Sequence, residues 1–149
     1  RKYFHEILGV NSRLDSLQAA ILDVKLKHLD EYCDSRTDAA EKYNEKFKGI
    51  FDTPFVMPGA KHIYHQYSIR VKNRDKMQEY LKESGIPSMV YYPVPLHLQE
   101  AYKYNYKTGD FPVSEEIAHD IISLPIHTEM DDEHINIIAS KVIEFNSKQ

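Results

Sequence analysis

Hydrophobic positions are spread unevenly along the chain. From Leu14 to Phe47 there is no proline or glycine, and Ala, Leu, Lys and Glu recur. That stretch predicts one long helix, or two helices with a bend near Cys33 to Asp38. Ser12 with Asp15 three residues later reads as its start, an oxygen acceptor followed by an acid in the positive first turn. The first half is apolar on more than one face: Leu14, Leu17, Ala20, Ile21, Val24 and Leu26. A helix apolar on several sides is buried on several sides, so a partner domain or subunit is expected to cover it.

Beyond Gly49 the period changes. Ile63, His65, Tyr67, Ile69 and Val71 alternate with polar neighbours, predicting a half-buried strand over 62–71 with His65 on its apolar side. Asn73 to Ser84 is a helix ended by Gly85. Ser88 to Tyr92 is a second strand, stopped by Pro93 and Pro95, which cannot donate to a ladder. His97 to Tyr104 reads as a short helix and Ser114 to Ile121 as another. Ser123 to Ile126 is a third strand, placed at an edge by Pro125. Asp131 or Asp132 caps a last helix whose Ile135, Ile138, Ala139, Val142 and Phe145 fall on one stripe. The fold class is α/β, a small sandwich of helices on a roughly three-stranded sheet with a long N-terminal helix.

Composition narrows the function. The 149 residues suffice for one domain with a core. A net charge of −4 with both signs interspersed argues against nucleic acid or an anionic membrane as partner. No apolar run reaches the ~20 residues of a membrane span. The single cysteine, Cys33, excludes an internal disulfide, suits a reducing cytoplasm and reads as a small core residue. His62 and His65 lie on opposite faces of the predicted strand and cannot share an ion, so no metal site is expected. The chain opens RKYFHEI, without an initiator Met or a signal-peptide pattern, and reads as a piece of something longer.

Four blocks stand in one order: GVNSRLDSLQAAIL (9–22), HQYSIRV (65–71) with Asp75 soon after, GIPSMVYYPVPLHLQEAY (85–102) and GDFPVSEEIAHDIISLPIH (109–127). Together they resemble the C-terminal part of the DegT/DnrJ/EryC1/StrS family of pyridoxal-phosphate-dependent aminotransferases. Thr128 departs from the proline that the family commonly has after the His of SLPIH. The resemblance implies the C-terminal small domain of an aspartate-aminotransferase-like fold. Residues 1–12 would end the linker from a large cofactor-binding domain, and 13–149 would form the small domain. The Schiff-base lysine would lie upstream, so no catalytic residue is expected in this chain.

The resemblance further implies a cytoplasmic homodimer with a shared active site. It would transfer an amino group, with L-glutamate as donor, to a nucleotide-linked keto-sugar, using pyridoxal 5'-phosphate. By the same resemblance, Asn11 reaches the cofactor phosphate of the neighbouring subunit. Arg13 lines the sugar-nucleotide pocket, and Tyr92 and His97 contact sugar or phosphate. A neutral amide can donate to a phosphate oxygen, and an arginine fork suits a diphosphate. Helix capping alone also accounts for an Asn-Ser pair, and packing for a tyrosine pair. Two alternatives are a sugar dehydratase of the same family and a free-standing ligand-binding or dimerisation module.

Overall fold

The computed structural model describes residues 2–148. Its helices are α1 (Ser16–Leu26), α2 (Leu29–Phe47), α3 (Arg74–Glu83), α4 (Pro112–Asp120) and α5 (Asp132–Ser147). Two strands, β1 (Tyr67–Arg70) and β2 (Ile121–Leu124), pair antiparallel, with Tyr67 opposite Leu124 and Arg70 opposite Ile121.

The sheet has two strands where about three were expected. The Ser88–Tyr92 segment contributes only one bridge, Met89 to Ser123, through reciprocal N–H···O bonds of 3.0 and 2.8 Å. Flanking prolines at 87, 93 and 95 leave too little donor-bearing backbone to extend it. β2 therefore lies between β1 and the Met89 bridge, not at an edge. The edge argument fails because β2 ends at Leu124, before Pro125. A second bridge, Asp52 to Arg70, flanks β1 on its other side.

β1 is also shorter than the 62–71 expected. Tyr64 has φ +43°, in the left-handed region, which breaks the extended run. The alternation restarts at Tyr67, so Tyr64 is buried while Ile63 and His65 are exposed, reversing the expected side for His65. Downstream the pattern holds: Tyr67 and Ile69 face the core.

The long helix breaks at Lys27–His28, earlier than expected, with His28 N–H donating to Lys25 O three residues back. Asp15, not Ser12, is the cap of α1, its Oδ1 accepting from Gln18 N–H at 2.8 Å. α4 starts at Pro112 rather than Ser114, and the strand expected at Ser123–Ile126 begins at Ile121, directly after α4, while the stop of α3 and the start of α5 follow the sequence. Gly85 takes φ +76° and Ile86 N–H returns to Leu81 O at 2.8 Å, closing α3. Asp131 caps α5 by accepting from His134 N–H. The short helix expected at 97–104 is two 3-10 turns, Leu96–Leu98 and Glu100–Tyr102.

The core lies between α2, α5, α3 and one face of the sheet. Tyr43 of α2 stacks on Tyr67 of β1 with ring centroids 4.9 Å apart, and its hydroxyl donates to Pro125 O. Met77, Leu81, Ile122, Ile135 and Val142 complete it. α4 covers the opposite face of β1, where Arg70 pairs with Glu116 and Asp120. α1 takes no part: none of its residues is buried. Cys33 is half-buried at the margin of α2 rather than in the core. Arg36 of α2 ties the layers together, its Nη1 donating to the carbonyls of Tyr64, His65 and Ile126.

Candidate functional site

Two segments carry the residues singled out by sequence. The first is the N-terminal stretch, from Tyr3 to the cap of α1. The second is the proline-stiffened wall Tyr91–Gln99. Prolines 93 and 95 fix φ and supply no ladder donors, and the 3-10 turn Leu96–Leu98 follows them in the wall. The Tyr3 ring packs edge-on against Tyr91 and Tyr92 at 5.8 and 5.5 Å, joining the two segments. The Tyr91 hydroxyl is pushed above its ordinary pKa, first by desolvation and then by its bond to Tyr3.

Asn11 and Arg13 stand on the fully exposed part of the first segment, Glu6–Leu14. Neither has a hydrogen-bond or ion-pair partner among the described residues. Asn11 does not cap α1, because Asp15 does. Leu14 takes φ +71°, turning the chain into the helix, and its N–H donates to Gln18 Oε1. The amide and the guanidinium just before that turn are uncommitted. Tyr92, on the same wall, is 57% exposed, with its ring in edge contact with Tyr3 and Tyr91.

His97 is placed differently. It is 7% exposed, and its Nε2 lies 2.9 Å from Glu115 Oε1 at the start of α4. Glu115 also accepts from Gly109 N–H at 2.8 Å. These bonds, His97 first, hold the Glu115 carboxyl below the usual carboxylate range. His97 thus pins the wall to α4. His97 also borders an open cavity of about 420 Å³ lined by Leu96, Tyr102, Tyr106, Phe111 and Ser114. The structure brings Tyr92 and His97 onto one wall. Asn11 and Arg13 lie on the stretch that leads from that wall to α1.

Two site-supporting residues escaped sequence reasoning. Gln99 is 4% exposed and bonds to both segments. Glu115 holds His97 from a distant stretch of chain. Gln99 sits inside a block quoted above, but only the folded backbone shows what its amide reaches.

The uncommitted Asn11 amide suits one end of pyridoxal phosphate, its phosphate group, and the free Arg13 guanidinium suits a diphosphate. Among the described residues no lysine is buried. Lys42, Lys61, Lys103, Lys141 and Lys148 have raised pKa values, each first through a hydrogen bond to a carboxylate: Asp132, Asp34, Glu100, Glu144 and Glu144 respectively. Among the described residues no group of three or more His, Cys, Asp or Glu could hold a metal ion. Nor is any described helix long and apolar enough to cross a membrane.

The fold and these segments define a small α/β domain with an uncovered apolar helix and a polar corner at its mouth. The model of the DegT/DnrJ/EryC1/StrS aminotransferase family matches residues 1–143, and the chain belongs to that family. A "Pleiotropic regulatory protein" of Geobacillus stearothermophilus is 44% identical, over 97% of this chain and 40% of its own length. A "dTDP-3-amino-3,6-dideoxy-alpha-D-galactopyranose transaminase" of Aneurinibacillus thermoaerophilus is 40% identical, over 95% of this chain and 39% of its own. The solved structure of S. venezuelae DesV, "in complex with ketimine intermediate", superposes with a TM-score of 0.85. It is 33% identical, and the match covers 98% of this chain and 40% of that one. The chain thus spans about two fifths of the length of the relatives it matches.

Proposed function

We propose that this chain is the C-terminal small domain of a pyridoxal-phosphate-dependent aminotransferase that aminates a nucleotide-linked keto-sugar, with L-glutamate as donor. Residues 1–12 are the end of the linker from the cofactor-binding domain, and 13–149 the small domain. The assembly is a cytoplasmic homodimer with active sites at the subunit junction. The observation that carries this reading is the pairing of family membership with an uncommitted Asn11 and Arg13 at the mouth of a wholly exposed apolar helix.

When bound, the cofactor supplies the electron sink for moving the amino group. This chain's part is binding. Asn11 donates its amide N–H to a phosphate oxygen without adding a buried charge. Arg13 offers paired N–H donors to the diphosphate of the sugar nucleotide. Tyr92 presents its ring and hydroxyl to the sugar. His97, fixed by Glu115, holds the wall in shape beside the neighbouring cavity and contacts the sugar or phosphate. α1 seals the junction by burying Leu17, Ile21 and Val24, which share one face, against the second subunit.

The test compares the full-length protein with residues 1–149 alone. Each is given L-glutamate, pyridoxal phosphate and a nucleotide-linked keto-sugar, and the amino sugar is measured. Amine transfer by the full-length protein only is the expected result. Transfer by the isolated chain, or none by the full-length protein with any such sugar, overturns the reading.

A further inference from the structure

Gln99 lies where the N-terminal stretch meets the wall, and every polar atom of its side chain is used. Its Oε1 accepts from His5 N–H at 2.9 Å, and its Nε2 donates to Tyr3 O at 3.0 Å and to Val94 O at 3.3 Å. Beside it, Ala101 N–H donates to His5 O at 3.0 Å. A primary amide has two donors and an acceptor, and this site spends both kinds across two segments far apart in sequence. At 4% exposure the bonds compete little with water.

Beyond His5 the chain runs fully exposed until Leu14 and Asp15 anchor it to α1 through Gln18. The stretch Glu6–Leu14 is a strap hung between two pegs, and Asn11 and Arg13 sit on it. From His5 the strap can carry Asn11 at most about 20 Å. Where His5 is held therefore limits where Asn11 can go.

We infer that Gln99 is a positioning residue: it clips His5 to the wall and so sets the placement of Asn11 and Arg13 relative to Tyr92. The consequence for ligand binding rests on the function proposed above; the clip itself does not. An isosteric loss, Gln99→Leu, removes all three bonds. Gln99→Glu is the conservative probe. Its carboxyl faces two carbonyl oxygens in a buried site, which favours the protonated form. Protonated, it can accept from His5 and donate to one carbonyl; ionised, it repels both.

Two measurements test this in the full-length protein. The first is amide exchange at His5 and Ala101, corrected for the intrinsic effect of pH. Gln99→Leu should speed both by at least tenfold while α2 and α5 amides hold. Gln99→Glu should match wild type at acidic pH and approach Gln99→Leu at alkaline pH, a profile that general loosening of the fold does not give. Should Gln99→Leu fail to fold, His5→Pro removes the donated N–H from an exposed position, and Ala101 exchange should rise in it. Unchanged exchange in the folded variants overturns the clip. The second measurement is affinity for dTDP and UDP, expected to fall about tenfold in Gln99→Leu. Unchanged affinity alongside faster exchange overturns the positioning role. If wild-type protein binds neither nucleotide, the proposed function fails, while the clip is still decided by exchange.

Discussion

The uncovered helix α1 allows the sharpest quantitative prediction. On one face of it, Leu17 is 73% exposed, Ile21 52% and Val24 62%. Fully burying one such side chain is worth about 1.5–3 kcal/mol, so these three, weighted by their exposure, hold roughly 3–6 kcal/mol in reserve for a partner surface. Changing Leu17 and Ile21 to Gln keeps helix propensity nearly constant and removes about 2–4 kcal/mol of that reserve. In residues 1–149 alone, urea denaturation should show a change within about 0.5 kcal/mol, because neither side chain is buried there. In the full-length protein, a two-fold interface counts the loss twice. Sedimentation should then show the dimer dissociation constant rising about a thousandfold or more. Two results would refute the reasoning. One is a loss above about 1.5 kcal/mol in the isolated chain, meaning α1 packs within it. The other is an unchanged dimer in the full-length variant, which removes α1 from the subunit interface.

Arg36→Ala should cost about 2–3 kcal/mol by urea denaturation, since three backbone carbonyls lose one shared guanidinium donor. Arg36→Lys should fall between, its rounder ammonium lacking the planar fork. The Glu115 carboxyl has a depressed pKa in the folded state, chiefly through His97. Its contribution is therefore present above the ordinary carboxylate value near 4.5 and lost as pH falls below it through the depressed value. A stability profile of Glu115→Gln should lack that acid-side decline. An identical profile to wild type would show that the pair is not formed.

Much of the fold could be read from local chemistry. α3 and α5 are marked by stop and start signals, Gly85 and Asp131, that the backbone uses as expected. The apolar stripe of Ile135, Ile138, Ala139 and Val142 is buried. Errors arose where distant contacts decide. The alternation from Ile63 to Val71 is regular in sequence, yet the chain turns at Tyr64, which places its carbonyl and that of His65 under Arg36 of α2. No glycine or proline marks the break at Lys27–His28. The strand expected at Ser88–Tyr92 shrank to one bridge because the prolines flanking it remove donors from both ends. At the site, the uncommitted state of Asn11 and Arg13 is consistent with a ligand role. The buried pairing of His97 with Glu115 was invisible, since its partner lies in another helix.

The central claim is that the polar corner ahead of α1 grips a phosphate. Asn11→Ala in the full-length protein tests it most directly, by titration of pyridoxal phosphate. One hydrogen bond to a charged group is worth about 1.5–3 kcal/mol, so the dissociation constant should rise roughly tenfold to a hundredfold. The melting temperature of residues 1–149 should not move, because Asn11 is exposed and makes no hydrogen bond or ion pair among the described residues. An unaltered dissociation constant would contradict the account.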